Sequence, residues 1–393
     1  MTTIQRWRLR LKWLPLLMAS GFGALSAPVW ADNELDLLVG SYTQGKSQGL
    51  YRLQFDPRTG HITPAPRQVF KAANPSWLTL SKDRQRLFVL NENADKGAAT
   101  SLAIAPETGH LSLINQVGTQ GESPTHSSLS ADERYLFVAN YGANTDPGGS
   151  LVVLPINAEG QLQAVTQVSR HAGSLVNPAR QLASHVHSVV SSPDGRFVYA
   201  SDLGADTVFV YRYDPAANPE QPLVPATPPA VALPPGSGPR HLLFAPDGKH
   251  AYLTAEMSAQ VFVFDVENGQ LKQRQVVELA AGQPAQNRAA GALHVSADGK
   301  YLYVSNRGKA NELLVFAIDP GNGELTQIQR RSVDGDHPRE FALSPDGKFL
   351  LVANQMSNAI VVIERDPVSG LLGNTVQTLP MDSPSDLLFI KRA

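Results

Sequence analysis

The sequence contains no cysteine, so disulfides, thiolate nucleophiles and cysteine-ligated metals are all excluded. It also lacks a Gly-x-Ser-x-Gly nucleophile elbow and a phosphate-binding Walker loop. Helical periodicity is almost absent, and beyond the N-terminal segment no apolar run approaches the ~18 residues of a membrane helix. The chemistry of this chain must therefore come from other residue types displayed on a β-rich scaffold.

Charge is spread unevenly along the chain. The first 31 of the 393 residues hold four basic side chains and no acidic one, which leaves 33 − 4 = 29 basic against 35 acidic side chains in the remainder. A mildly acidic body is a poor match for phosphate backbones, so we expect no nucleic-acid partner. The hydrophobic content of 42% is enough for a large core.

Residues 1–31 have the pattern of a secretory signal peptide. A basic start is followed by an apolar stretch from Trp13 to Leu25, and small residues precede cleavage points after Ala27 and Ala31. An uncleaved anchor is disfavoured because the apolar stretch is too short to span a bilayer. We therefore predict a periplasmic protein without a stable membrane anchor, whose residues 32–393 form one domain.

An internal repeat dominates the rest of the sequence. A segment of the form apolar-x-apolar-Ser-x-Asp-Gly-basic, followed by an aromatic-rich strand, recurs six times at intervals of 49, 62, 53, 51 and 48 residues. Its turns are marked by Asp83, Asp132, Asp194, Asp247, Asp298 and Asp346. A third strand and a second Gly-containing turn follow in each unit. Short strands with turns at this period predict four-stranded blades around an axis.

The two ends of the chain supply one further blade. Residues 37–63 have the second, third and fourth strands of a unit, whereas residues 385–392, SDLLFIKR, form a first strand with nothing after it. Pairing the two closes the ring and removes exposed edges. The predicted fold is all-β, a seven-bladed β-propeller. Residues 215–239, which hold nine prolines, are predicted to be an extended, solvated excursion between blades.

Two positions of the repeat are rich in polar and charged side chains and lie on the face opposite the Asp-Gly turns. Seven residues before the turn Asp stand Ser76, Thr125, His187, Arg240, Gly291 and Arg339. Nine residues after it stand Glu92, Tyr141, Leu203, Glu256, Arg307 and Gln355. A ring of blades brings such positions together, so we expect them to converge at the axis.

These side chains suit attack of water on an ester carbonyl. His187 or Glu256 would activate the water, while Arg240 and Arg307 stabilise the oxyanion. We predict neither a cofactor nor a metal. The predicted substrate-binding residues are His185, His241, Arg339, Gln355 and Asn140.

Each assignment has a structural alternative. His187 could be a satisfied structural histidine, and Glu256 with Arg307 an ordinary ion pair between blades. The Asn residues eight after the turn, Asn140 among them, favour loop capping. The spacing of His185 and His187 on one strand is also that of a metal-binding pair. His294, within a strand, is predicted to be buried and structural.

Several segments together resemble one protein family. They read HVHSVVSSPDGRFVYASDL, GPRHLLFAPDG, TAEMSAQVFVFD, LHVSADGKYLYVSNRG and HPREFALSPDGKFLLVANQ. Over residues 35–390 the chain is similar to the seven-bladed propeller lactonases, which include a bacterial 6-phosphogluconolactonase and fungal carboxymuconate-lactonising enzymes. The resemblance implies lactone chemistry without an obligatory cofactor. It also implies an active quartet of one His, two Arg and one Glu, which falls on His187, Arg240, Arg307 and Glu256.

The resemblance and the signal peptide together suggest a substrate. Many relatives carry an acidic residue where this chain has Ala292 and Leu293, so contacts from that blade are expected to differ. A phosphorylated sugar lactone is a cytoplasmic metabolite, so an exported enzyme is expected to hydrolyse D-glucono-1,5-lactone. Two alternatives stay open: 6-phosphogluconolactonase activity, with Arg339 binding the phosphate, and a non-catalytic propeller that binds an envelope partner. Nothing in the sequence signals an oligomeric state.

Overall fold

The computed structural model describes residues 1–2, 35–142 and 151–391. Contacts divide the chain into residues 1–32 and 33–393, and the strands belong to the second unit. The predicted signal peptide lies, apart from its first two residues, outside the described residues, as does most of the 141–150 loop. In the described part the 3₁₀ turn Ala285–Asn287 is the one helical element, and no helix there is long and apolar enough to cross a membrane.

The described strands form seven antiparallel sheets, one for each blade. The N-terminal strands are β1 (Leu35–Ser41), β2 (Gly49–Asp56), β3 (His61–Ile62) and β4 (Gln68–Lys71). Blade 1 contains β5 (Pro75–Leu80), β6 (Arg86–Asn91), β7 (Ala98–Ile104) and β8 (Leu111–Gly118). Blade 2 contains β9 (Glu122–Leu129), β10 (Tyr135–Gly142), β11 (Leu151–Pro155) and β12 (Gln167–Ser169). Blade 3 contains β13 (Val186–Ser191), β14 (Phe197–Asp202), β15 (Thr207–Tyr213) and β16 (Leu223–Ala232).

The remaining blades follow the same order. Blade 4 contains β17 (Pro239–Phe244), β18 (His250–Ala255), β19 (Gln260–Glu267) and β20 (Gln270–Glu278). Blade 5 contains β21 (Ala290–Val295), β22 (Tyr301–Asn306), β23 (Glu312–Ile318) and β24 (Leu325–Ser332). Blade 6 contains β25 (Pro338–Leu343), β26 (Phe349–Asn354), β27 (Ala359–Arg365) and β28 (Leu372–Pro380), and β29 (Pro384–Lys391) ends the chain.

The last strand completes the first blade. β29 pairs antiparallel with β1, from Leu35 opposite Lys391 to Gly40 opposite Asp386. Blade 7 thus has the order β29-β1-β2-β3, with β4 also paired to β2. Leu37 and Leu387 are buried in one cluster with side chains of the neighbouring blade 6. The predicted closure and the seven-bladed β-propeller are both confirmed.

The recurring Asp holds the turn between the first and second strands. In blade 3, Ser192 Oγ donates to Asp194 Oδ1 at 2.6 Å, and the carboxylate accepts the Arg196 amide. The next residue, Gly195, has a φ of 70°, where glycine avoids a Cβ clash. The Asp is therefore the constant part of the turn, and the residue after it takes a positive φ even where it is Arg84 (59°) or Glu133 (57°) instead of glycine.

The proline-rich segment differs from the prediction. Leu223–Ala232 within it is β16, the fourth strand of blade 3, and pairs with β15 from Leu223 opposite Tyr213 to Ala232 opposite Thr207. A fourth strand has a neighbour on one side only, so prolines can occupy it without removing ladder hydrogen bonds. The excursion between blades is therefore short.

Because β29 closes the ring, we expect substitutions that disturb its packing to lower the free energy of unfolding substantially. Leu387→Ala should lower the free energy of unfolding by about 2–5 kcal/mol, because Leu387 is 5% exposed and its truncation leaves a cavity. Leu113→Ala, at a strand position that is 59% exposed, is the matched control and should change it by less than about 0.5 kcal/mol. Urea unfolding measures both, and equal values would contradict a structural role for β29.

Candidate active site

The first strand of every blade carries a β-bulge near its start. In blade 4, Pro239 pairs with Ala255 and His241 with Thr254, so Arg240 has no partner across the ladder. The unpaired positions of the seven blades are Ser76, Thr125, His187, Arg240, Gly291 with Ala292, Arg339 and Ser385. A bulge re-aims the side chain it carries, and bulges are common beside active sites. The register seven before the turn is thus a ring of bulge residues.

A second set of side chains lies where the second strands end. Its members are Tyr42, Glu92, Tyr141, Leu203, Glu256, Arg307 and Gln355. Tyr42, directly after β1, was missed at the sequence level because blade 7 has no Asp-Gly marker. Aligning β1 with the other second strands after closure would have revealed it. Bulge residues and strand-end residues share one face, which is where the chemistry lies.

Glu256 is at the centre of this face, held by three guanidinium groups. Arg307 Nη2 lies 2.6 Å and Arg240 Nε 3.4 Å from its Oε2, and Arg180 Nη2 donates to its Oε1 at 2.8 Å. Burial would raise the pKa of Glu256, but the charges of Arg307 and Arg240 outweigh it and hold the pKa well below its usual range. Glu256 is therefore an anion that organises arginines, and a weak base.

Arg240 is a buried cation, 2% exposed. Its Nη1 donates to Nδ1 of His241 at 3.0 Å, which places the His241 proton on Nε2. Burial, followed by repulsion from Arg307, lowers the pKa of Arg240 to about 9. The group remains charged at neutral pH, in surroundings that strengthen its effect on a nearby oxyanion.

His187 is buried next to this charge cluster. Its ring centroid is 5.1 Å from that of His241 and 5.5 Å from that of Tyr141. Burial, reinforced by the charge of Arg240, lowers the pKa of His187 well below its usual range, so the imidazole is neutral. Its Nδ1 has no hydrogen-bond partner among the described residues. His187 is thus a neutral imidazole whose Nδ1 is available to a ligand or a water.

His185 serves a different purpose. Its Nδ1 lies 2.5 Å from the carbonyl oxygen of Tyr141, and its ring stacks on the Tyr141 ring with centroids 4.6 Å apart. His187 is the bulge residue between Val186 and Ser188, and His185 precedes the strand, so the regular alternation of a strand does not hold between the two histidines. No group of three or more metal-ligating side chains is arranged to hold an ion in the described ranges.

Arg339 and Gln355 extend the cluster on the side of blade 6. Arg339 Nη2 lies 3.2 Å from Glu92 Oε2, and its guanidinium is 4.9 Å from the centroid of the Tyr42 ring. Gln355 Oε1 is buried without a partner among the described residues. Arg339 also interacts electrostatically with Glu256.

Asn140 and His294 act within the scaffold. Asn140 Nδ2 donates to the Thr119 carbonyl at 3.2 Å, and Asn354 makes the same contact to Val333, so we assign Asn140 to loop bracing. His294, predicted to be buried and structural, lies on β21 with its Nε2 2.7 Å from Glu340 Oε1, an ion pair that was not predicted. However, 40% of its side chain is exposed, so it is less buried than expected.

Arg180 was missed at the sequence level. It lies in the segment that makes the interval between Asp132 and Asp194 the longest of the repeat, 194 − 132 = 62 residues. Its Nη2 contacts both Glu256 Oε1 and the Tyr141 hydroxyl, and 40% of its side chain is exposed. Arg180 also lines an open surface depression with Asn177, Met257 and Arg288. An insertion has no repeat partner, so only its length signalled a special loop.

Comparison with known proteins assigns the chain to a family. A family model described as "Lactonase, 7-bladed beta-propeller" matches residues 36–389, nearly the whole propeller. The chain belongs to this lactonase family and is an enzyme of the lactonase type. A purely non-catalytic propeller is thereby disfavoured.

Four individual proteins illustrate what the chain is similar to. The structure of a periplasmic gluconolactonase of Pseudomonas aeruginosa, PpgL, is 50% identical with a TM-score of 0.88, over 92% of this chain and 100% of that one. A putative 6-phosphogluconolactonase of Bacteroides fragilis is 36% identical with a TM-score of 0.84, over 93% and 100%. The 6-phosphogluconolactonase of Bacillus subtilis is 29% identical over 90% and 97%, and that of Formosa agariphila 35% over 59% and 65%.

Because burial keeps histidine side chains such as His126 neutral in the folded protein, we expect the free energy of unfolding to fall at acidic pH. Burial, followed by the charge of Arg240, lowers the pKa of His126 to about 3, whereas the unfolded side chain takes up a proton near about pH 6.5. Between these values only the unfolded chain is protonated, so the free energy of unfolding falls as pH falls. His126→Gln should make this fall shallower by about 1.4 kcal/mol per pH unit between pH 6 and 4.

Urea unfolding across that pH range measures the effect. His61→Gln is the control, because His61 is exposed on β3 and its surroundings change little on unfolding. The same slope in wild type and His126→Gln would show that the histidine is protonated in the folded protein.

Proposed function

We propose that this protein hydrolyses D-glucono-1,5-lactone to gluconate in the periplasm. The observation that carries the proposal is a pair of buried polar atoms without partners among the described residues, His187 Nδ1 and Arg307 Nε. Orphaned polar groups in a folded protein call for a water or a ligand. An imidazole nitrogen suits an attacking water, and a cationic donor suits the lactone carbonyl.

His187 is the base in this proposal. Its neutral imidazole takes a proton from water as the oxygen attacks the lactone carbonyl carbon, giving a tetrahedral oxyanion. Collapse of that intermediate breaks the bond between the carbonyl carbon and the ring oxygen. The imidazolium returns its proton to the leaving ring oxygen, which becomes a hydroxyl, and the carboxylic acid formed ionises to gluconate.

The arginines stabilise the oxyanion and Glu256 holds them in place. Arg240 and Arg307 both contact Glu256 Oε2, so one carboxylate orients two guanidinium groups before substrate arrives. Such preorganised donors lower the barrier without a reorganisation cost at the moment of reaction. Glu256 therefore acts as a positioning residue.

The choice of an unphosphorylated substrate rests on two supports. The Pseudomonas aeruginosa periplasmic gluconolactonase covers nearly the whole chain at 50% identity, and residues 1–31 are predicted to be a secretory signal peptide. A periplasmic enzyme would meet the lactone formed by glucose oxidation there.

6-Phosphogluconolactonase activity is the second candidate. It is supported by the Bacillus subtilis relative, of which the chain covers 97%. Arg180, with 40% of its side chain exposed, is a guanidinium from which a phosphate could accept hydrogen bonds.

Turnover of the two lactones separates these candidates. Purified mature protein should hydrolyse glucono-1,5-lactone with a higher kcat/KM than its 6-phosphate, in each case above the uncatalysed rate and unchanged by a chelator. A preference for the 6-phosphate would overturn the proposed substrate, and loss of activity with chelator would overturn the metal-free mechanism.

Substitutions in the cluster test the roles. His187→Gln and Arg307→Ala should each lower kcat by about a hundredfold or more, since each removes a group that acts in the transition state. Arg274→Ala, which breaks an exposed ion pair with Asp265 on β19, is the control and should leave kcat unchanged. Unfolding curves establish that the variants are folded, and wild-type kcat in His187→Gln would refute the base.

A further inference from the structure

The cluster has a second wall, formed by Tyr42, Glu92 and Arg339. Tyr42 and Glu92 follow the second strands of blades 7 and 1, as Glu256 and Arg307 do in blades 4 and 5. Arg339 is the bulge residue of blade 6, equivalent to Arg240. These three side chains therefore lie on the same face as the catalytic candidates, but on the far side of the ring.

The wall consists of an ion pair between Glu92 and Arg339 and of the Tyr42 phenol, which also contacts Glu92. Tyr42 Oη donates to Glu92 Oε2 at 2.6 Å, and Arg339 Nη2 lies 3.2 Å from the same oxygen. Burial, followed by the nearby Glu92, raises the pKa of Tyr42 far above its usual range, so the phenol keeps its proton. Both contacts use Oε2, which leaves Oε1 to accept a hydrogen bond from a ligand.

The wall interacts electrostatically with the catalytic candidates. The charge of Arg339 lowers the pKa of both His187 and Arg240, and Glu256 acts on Arg339 in turn. Ser76 Oγ and Ser385 Oγ, on the bulge residues of blades 1 and 7, are buried without hydrogen-bond partners among the described residues. Unpaired hydroxyls in this ring of bulge residues can hydrogen-bond to a ligand that itself carries hydroxyl groups.

We propose that Tyr42, Glu92 and Arg339 bind the hydroxyl groups of the lactone ring and select a neutral sugar lactone over its phosphorylated form. This inference rests on the proposed function. A carboxylate accepts hydrogen bonds from sugar hydroxyls but repels a phosphate dianion. Arg339, already paired with Glu92, offers a phosphate little net charge. The wall is thus suited to binding an uncharged ligand with several hydroxyl groups.

Glu92→Gln tests the selection, since it keeps the shape of the side chain and removes its charge. We expect kcat/KM for glucono-1,5-lactone to fall about tenfold, mainly through KM, because a charged hydrogen bond to the substrate is lost. With Arg339 released, kcat/KM for the 6-phosphate should rise. Tyr42→Phe should raise KM for glucono-1,5-lactone while leaving the preference between the substrates as in wild type.

Glu312→Gln is the matched control: Glu312 is also a buried carboxylate paired with an arginine, Arg330, but it lies on the third strand of blade 5. It should leave the ratio of the two kcat/KM values unchanged. An unaltered ratio in Glu92→Gln, or an equal shift in Glu312→Gln, would overturn the inference while wild-type turnover of glucono-1,5-lactone still supported the proposed function. Wild type that turns over only the 6-phosphate would overturn the proposed function itself.

Discussion

Pairing of β29 with β1 is the constraint on which the rest of the molecule depends. The pairing completes the sheet of blade 7 from the two ends of the chain, so the ring has no gap and every blade packs between two neighbours. The same pairing positions Ser385 on β29 and Tyr42 after β1. The two chain ends thus complete both the scaffold and one wall of the candidate site, and loss of closure would damage stability and binding together.

Bulges convert this regular scaffold into a site. A first strand without a bulge would present its side chains alternately to the two neighbouring blades, where apolar packing is required. One unpaired residue in each blade allows a polar side chain to leave that alternation, as Arg240 and His187 do, while the residues after it resume packing. Polar groups are therefore concentrated at one face at little cost to the cores.

The sequence was sufficient to predict the features that recur in each repeat unit. The Asp-Gly turns located the blades, and counting from them found His187, Arg240, Glu256 and Arg307. What it missed breaks the repeat: Arg180 lies in an insertion, and Tyr42 in a blade without the marker turn. β16 was misread because prolines exclude a central strand but are tolerated at an edge. The ion pairs among side chains far apart in the chain follow from the three-dimensional arrangement alone.

The electrostatic balance of the face accounts for its division into two walls. Four guanidiniums, of Arg180, Arg240, Arg307 and Arg339, oppose three carboxylates: Glu256, Glu92 and the buried Glu340, whose charge acts on Arg240 and Arg339. The balance of these groups is 4 − 3 = +1 while His187 is neutral. Three of the four cations surround Glu256, where an oxyanion would develop, and the fourth is matched by Glu92. Burying unmatched cations is unfavourable for folding, because each loses hydration that one shared carboxylate replaces only in part. The excess charge is thus confined to the side where a reaction can use it, and the opposite side is left close to neutral.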